Sequence, residues 1–350
     1  MANVRTSARS ILPMHARPCT PSPRPCRRFE PATRPSRPAT ARRRTALLLC
    51  VTLCWLPTRQ ALRGAECGVR PQDELWLVSA RQCCAVSSGS EPLLSAQRLG
   101  GDSQWQGADL EALYAPASAD QIVVIYVHGN RVPSGAAAAE GQHVYRLLID
   151  GAESAPPLRF VIWSWPSARV KGQLRDVRAK AQRTDMAGYC LAWALMHLPE
   201  DQPVSLLGYS FGARIATGAA HLTGGGSLGG RALPPHATSA HTMRVAILAG
   251  ALDASWLRPG GYHERARTQL DYLLNLYNSC DPVLKRYHLL DKRARASALG
   301  FSGMYTADLV EAARLEQLNV RNIVQRSHEL EDYLCSPRLM QRIREVLFWQ

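Results

Sequence analysis

The chain has 350 residues, 46% of them hydrophobic, with 42 Lys plus Arg against 28 Asp plus Glu. That composition excludes a wholly disordered polymer and fits one large globular domain or two small ones. The formal charge of +14 raises nucleic-acid binding as a class, and where the charge sits decides against it.

Residues 1–45 hold 11 Arg, no Lys and a single acid, Glu30, whereas the other 305 residues carry 31 basic and 27 acidic side chains. The excess is a property of the tail, and no nucleic-acid partner is expected. The same tail contains eight of the 23 prolines and almost no aliphatic periodicity. Such a segment buries too little apolar surface to offset the entropy of ordering it, so residues 1–45 read as a disordered Arg/Pro-rich leader. Arg42-Arg43-Arg44 then precede an apolar run over residues 46–56, closed by Pro57. The run is shorter than the roughly 20 residues needed to cross a bilayer. It fits the n-region and h-region of a secretory signal, with small residues near 61–65 as a cleavage zone. Residues 46–65 therefore read as a signal-like segment, and the protein as exported (periplasmic or extracellular) or membrane-associated through residues 46–57. The n-region is long for such a signal, and a start downstream of Met1 is the alternative. Cys50, Cys54 and Cys67 follow Leu, Leu and Glu, not the small residue of a lipoprotein signal.

Beyond the leader lie Cys67, Cys83, Cys84, Cys190, Cys280 and Cys335, an even number compatible with an oxidising compartment. Their spacing is not that of metal ligands. Cys83 or Cys84 could pair with Cys67, while Cys190 sits in an apolar helical pattern and reads as a buried hydrophobe.

From about residue 66 to 350, short apolar runs alternate with helical periodicity, the pattern of a doubly wound α/β sheet with helices on both faces. The expected strands are 75–78, 122–127, 160–165, 204–207, 245–248, 273–276 and 320–324. Over 185–198, Met186, Tyr189, Cys190, Trp193 and His197 fall on one helical stripe, expected against the sheet, with His197 a face residue and not a ligand. Trp163, Trp165 and Trp193 are expected in the core. Residues 223–230 form a glycine-rich loop that lacks the Lys-Ser or Lys-Thr of a phosphate loop, which disfavours nucleotide binding. The last helix begins at Ser336-Pro337, a cap residue followed by proline, and turns Met340, Ile343, Val346 and Leu347 inward.

The chemistry centres on Gly208-Tyr209-Ser210-Phe211-Gly212, set between an apolar strand and a helix of small residues. In a sharp strand-to-helix turn the serine backbone is strained, and glycines two positions away on either side let the chain fold back and lift the Ser210 hydroxyl from the sheet. An oxyanion hole needs two backbone N–H donors. One is expected from Phe211. The other is expected from the loop His128-Gly129-Asn130-Arg131 after strand 122–127, and is assigned to the Asn130 amide. A base and an orienting acid should follow in the order Ser, Asp or Glu, His. Asp281, leaving strand 273–276 at Asp281-Pro282, and His328, on a loop after the final strand, meet that order. Asp253 is the alternative acid, and Asp281 is preferred because the turn after the penultimate strand is the commoner acid site. His288, in a helical stretch, is the weaker candidate base.

His128-Gly-Asn-Arg131, Phe160-Val-Ile-Trp-Ser-Trp-Pro166, Gly208-Tyr-Ser-Phe-Gly-Ala-Arg214, Asn278-Ser-Cys-Asp-Pro282, Ala298-Leu-Gly-Phe301 and Ser327-His328 together resemble the α/β-hydrolase superfamily. Within it they look like an uncharacterised family encoded by planctomycete bacteria. The resemblance implies a serine, acid and histidine for ester, thioester or amide hydrolysis, and names no substrate. Three features depart from the usual pattern. Ser327 replaces the small residue before the histidine, and Glu329, Glu331 and Asp332 crowd that loop as competitors for it. Between strands 245–248 and 273–276 there is room only for a short helical piece near 262–269, so no large lid domain is inserted there. Residues 283–318, with Tyr287, Phe301 and Tyr305, are a candidate pocket wall. The expected function is a serine esterase on a small-molecule or lipid acyl substrate, with no metal or cofactor required. The alternative is a catalytically silent binding protein of the same fold.

Overall fold

Every residue of Ile122–Val127 and of Leu158–Ser164 is buried, so these β-branched and aromatic runs have protein on both faces, as central parallel strands require. The computed structural model describes residues 68–350, except 84, 117, 119, 236–241, 291–295 and 305–313. The leader, the signal-like segment, Cys67, Cys84 and Tyr305 lie outside the described residues. No helix among the described residues is long and apolar enough to cross a membrane.

In chain order the elements are β1 (Glu74–Ser79), β2 (Ser95–Leu99), β3 (Trp105–Ala108), α1 (Leu110–Tyr114), β4 (Ile122–Val127), α2 (Ser134–Ile149), β5 (Leu158–Ser164), α3 (Gln173–Leu195), β6 (Val204–Tyr209), α4 (Phe211–Thr223), β7 (Met243–Leu248), β8 (Leu270–Tyr277), α5 (Leu299–Ser302), β9 (Arg314–Asn319), α6 (Arg321–Val324), α7 (Leu330–Leu334) and α8 (Pro337–Leu347). Short 3-10 helices lie at Glu264–Gln269 and Leu284–Leu289. The strands form one nine-stranded sheet in the order β3-β2-β1-β5-β4-β6-β7-β8-β9. All neighbours are parallel except β1/β2 and β2/β3. This is an α/β-hydrolase fold, with one short 3-10 helix and no inserted domain between β7 and β8.

Right-handed crossovers place the helices. The chain steps from β4 to β5 through α2 and then reverses across β4 to β6 through α3, so α2 and α3 cover opposite faces. α4 packs along α3. α8 shares the α2 face, where the Arg344 guanidinium donates to Leu147 O and Leu148 O at 2.9 Å and caps the C-terminal carbonyls of α2. The reversal of direction between β4 and β6 is a topological switch point, and the crevice at the carboxyl ends of those strands is where such sheets bind ligands.

Two expectations are corrected. The final strand is Arg314–Asn319, not 320–324, which forms the turn and short helix α6. At the sheet edge only one side of a strand meets a neighbour, so polar Arg-Leu-Glu-Gln-Leu-Asn suffices there. Strand β2 and the edge strand β3, largely exposed, carry no apolar run and were not expected. The stripe on 185–198 belongs to the C-terminal half of α3, where Tyr189 O–H donates to Ser90 O at 2.8 Å in the segment after β1, and a different face of α3 packs along α4. The helices approach closely at Gly188, where an added Cβ would sit 3.5 Å from Ile215 O. His197 is exposed, hydrogen-bonded to Trp193 O and stacked on Tyr114. Met340, Ile343, Val346 and Leu347 of α8 are buried, each contributing roughly 1.5–3 kcal/mol. Cys83, Cys190, Cys280 and Cys335 are free thiols, and the buried Cys83 thiol donates to Leu93 O at 2.8 Å.

Candidate active site

Ser210 has φ 53° and ψ −116°, a conformation costing an L-residue about 1–3 kcal/mol unless its surroundings enforce it. They do so through backbone bonds and close packing. Ser210 N–H donates to Leu248 O at 2.9 Å, and Ala251 N–H donates to Ser210 O at 3.0 Å. A Cβ on Gly208 would lie 2.6 Å from Ala213 Cα, and one on Gly212 would lie 1.9 Å from Val127 O. Helix α4 therefore starts hard against the ends of β6 and β4, and only glycine fits at either side of the serine.

Ser210 Oγ lies 3.1 Å from His328 Nε2, and His328 Nδ1 lies 2.6 Å from Asp281 Oδ2. With Nδ1–H donating to the carboxylate, Nε2 is left to accept the serine proton. Asp281 is fully buried, and the His328 side chain is 14% exposed. The second oxygen, Asp281 Oδ1, accepts the N–H groups of Val283 and Leu284 at 2.8 and 2.9 Å. The acid is thus aimed by capping the turn that follows it. Asp253 is elsewhere engaged: its Oδ1 accepts Ser255 N–H at 2.7 Å and Ser255 O–H at 2.6 Å. His288 is exposed. Of the crowding acids, Glu331 pairs with His143 at 2.9 Å and leaves His328 to Asp281.

Long-range contacts invisible to motif reading hold the histidine loop. Tyr209 O–H donates to His328 O at 2.5 Å, and Asn278 Nδ2 donates to Gln325 O and Ser327 O at 2.7 and 3.0 Å. These bonds fix a loop whose sequence, Gln-Arg-Ser-His, carries no signal of order.

The His128–Arg131 loop abuts the serine turn. A Cβ on Gly129 would lie 2.8 Å from the Tyr209 ring and 3.5 Å from Ser210 Cβ. Arg131 N–H donates to Ser167 O at 2.9 Å, which removes that amide as an oxyanion donor. Asp176 clamps the loop from α3, accepting from Asn130 Nδ2 and Arg131 Nε at 3.3 Å, Val170 N–H at 2.7 Å and Lys180 Nζ at 2.7 Å. Burial alone would raise the Asp176 pKa; Lys180, the Val170 amide and Arg131 outweigh it and hold the carboxyl at about 2. Trp165, expected only as core, is fully buried, and its Nε1–H donates to His128 O at 2.9 Å. It also stacks on the His128 ring and meets Phe211 edge-on.

His128 itself is fully buried and neutral. Its Nδ1–H donates to Gly129 O at 2.9 Å, leaving Nε2 to accept Trp165 N–H at 3.3 Å and to face Arg81 at 3.4 Å. Burial pushes its pKa down from 6.5 to about 3, the Gly129 bond partly opposing and Arg81 adding. The folded value lies below the unfolded one. The contribution to stability is therefore complete above about pH 6.5 and is lost as pH falls toward 3, by about 1.4 kcal/mol per pH unit. His263, also driven down by burial with Arg214 and His221 adding, steepens the same limb. Urea midpoints measured from pH 7 to pH 4 should fall accordingly, and His128→Asn should flatten the slope. A wild-type midpoint constant over that range would contradict the assignment.

No protein-family model matches the chain, and no curated protein matches it. Among solved structures, the lin2722 gene product of Listeria innocua is similar at 13% identity and TM-score 0.38, covering 65% of this chain and 94% of that one. Acyl-protein thioesterase 2 of Zea mays is similar at 16% identity and TM-score 0.36, covering 64% and 90%. TT1662 of Thermus thermophilus is similar at 14% identity and TM-score 0.33, covering 72% and 93%.

Proposed function

We propose that the protein is a serine hydrolase acting on acyl esters. The observation that carries the reading is the continuous hydrogen-bond chain from Ser210 through His328 to buried Asp281, mounted on a strained strand-to-helix turn. In this reading Ser210 Oγ attacks the acyl carbonyl carbon while His328 Nε2 takes its proton. Asp281 holds the ring in the tautomer that leaves Nε2 free and stabilises the imidazolium as it forms. The developing oxyanion is met by the N–H of Phe211, which opens α4 and has no intrahelical acceptor. The Asn130 amide supplies the second donor. His328 then protonates the departing alkoxide. A water molecule, deprotonated by the same nitrogen, releases the acyl group and restores Ser210.

The test is turnover of 4-nitrophenyl esters from acetate to laurate. Wild type is expected to hydrolyse at least part of the series, and Asp281→Asn to lose about 10⁴-fold in kcat by stabilising the wrong histidine tautomer. Asparagine keeps an oxygen for the Val283 and Leu284 amides, so the loss should come without unfolding. Turnover of no ester in the series would overturn the reading.

A further inference from the structure

Two segments that flank Ser210, the His328 loop and the start of α3 behind the Asn130–Arg131 loop, carry opposite charge. On the α2 face, the loop entering α7 and its first turn present exposed Glu329 and Asp332 beside the Glu331–His143 pair, with the exposed cation Arg326 also in that loop. On the α3 face the exposed charged side chains from 168 to 183 are all cations. Arg169, Lys171, Arg175 and Arg178 all lie within eight residues of Asp176, which reaches into the Asn130–Arg131 loop. Asp176 is the only carboxylate between residues 168 and 183, and it is buried and bonded to Lys180. It therefore neutralises none of the exposed four, its cation partners being Arg131 and Lys180. The 3-10 helix Leu284–Leu289 that Asp281 caps adds exposed Lys285 and Arg286, and Arg178 Nη2 donates to Leu289 O at 3.2 Å, joining it to α3.

Among the described residues, none of these six cations makes an ion pair with a carboxylate. The concentration is not a general feature of the surface, because the chain beyond residue 63 carries only +2 in all. Apolar side chains share the wall: Leu174, Val283 and Leu289 are 50%, 52% and 40% exposed. Like charges held together without counter-charges repel one another, and in a cleft with low-dielectric walls they raise the local concentration of anions.

Resting on the serine-hydrolase reading above, we propose that the substrate is an ester or thioester carrying a negatively charged group, which is held by the α3 wall while its carbonyl meets Ser210. The acidic wall repels the same group, so the two walls together set the direction in which the substrate lies. Leu174, Val283 and Leu289 contact the hydrocarbon between the charge and the scissile bond.

The test compares the mono-4-nitrophenyl ester of adipic acid with 4-nitrophenyl hexanoate, which share leaving group and acyl length and differ by one terminal carboxylate. In wild type at low salt, kcat/KM for the adipate ester should exceed that for hexanoate by about tenfold or more, and the ratio should shrink as ionic strength rises. Lys171→Glu with Arg175→Glu should bring the ratio to one or below. Both side chains are exposed, and because both esters are read on one preparation, partial misfolding lowers both rates and leaves the ratio. A wild-type ratio near one, a ratio indifferent to salt, or a ratio that survives the charge reversal would overturn the anionic preference while leaving the hydrolase intact. Turnover of neither ester would overturn both.

Discussion

Ser210→Ala is expected to lower kcat for any ester the protein turns over by about 10⁵- to 10⁶-fold, with KM little changed, because only the attacking oxygen is removed. What remains should be the contribution of oxyanion binding and positioning, about 10³- to 10⁴-fold above the uncatalysed reaction. The fold should not suffer. Ser210 is held by backbone bonds to Leu248 and Ala251 that alanine keeps, and its side chain makes one hydrogen bond, to His328. His328→Ala should cost a similar factor, and combining the two should cost little more than either alone, since serine and base act as one unit. Pre-steady-state kinetics on 4-nitrophenyl esters checks this: additive losses in the double variant would mean that Ser210 and His328 do not share a step.

Gly212→Ala is expected to have the largest effect on stability. Its Cβ would be placed 1.9 Å from Val127 O and 2.7 Å from Val127 C, and both are backbone atoms of a central, fully buried strand. No side chain can rotate away, so α4 must move off β4, breaking the turn that positions Ser210 and the contacts of a helix in which every residue but Arg214 is buried. A loss above 4 kcal/mol follows, in the range where overpacking and backbone strain coincide. For comparison, an added methyl at Gly135 meets nothing within 4 Å, so Gly135→Ala should leave stability unchanged or slightly raised by helix propensity. Urea denaturation of the two variants side by side separates a steric demand from a general dislike of lost glycine.

The central strands could be read from sequence because the physics that makes them is local. A strand buried on both faces must be apolar throughout, and Ile-Val-Val-Ile-Tyr-Val or Val-Ala-Ile-Leu has few other uses. Strand β9 was misplaced for the converse reason: at the edge, polar Arg314–Asn319 pairs with β8, while the apolar residues that follow turn into α6. His328 still occurs after the last strand, nine residues on from Asn319. The serine turn was legible because its glycines, strand and helix are contiguous. Asp281 was legible by chain order, though the reason it points at His328, namely its bonds to Val283 and Leu284 amides, was not. The contacts that tie the site together were beyond sequence reasoning. Tyr209 and His328 are 119 residues apart, and Asp176 reaches Asn130 across 46. A lysine at position 180, on the pattern alone a solvated helix residue, is fully buried against Asp176 and Ala168 O. Signals of that kind exist only once the chain has folded, because they depend on which loops the sheet order brings together.

The central claim is that Ser210 is a nucleophile activated by His328. A fluorophosphonate reacts with such a serine and with little else, and peptide mass spectrometry locates the adduct. Wild type should take up one equivalent on the peptide containing Ser210, Ser210→Ala none, and His328→Ala label orders of magnitude more slowly. Absence of an adduct on wild type, or equal labelling of Ser210→Ala, would contradict the account.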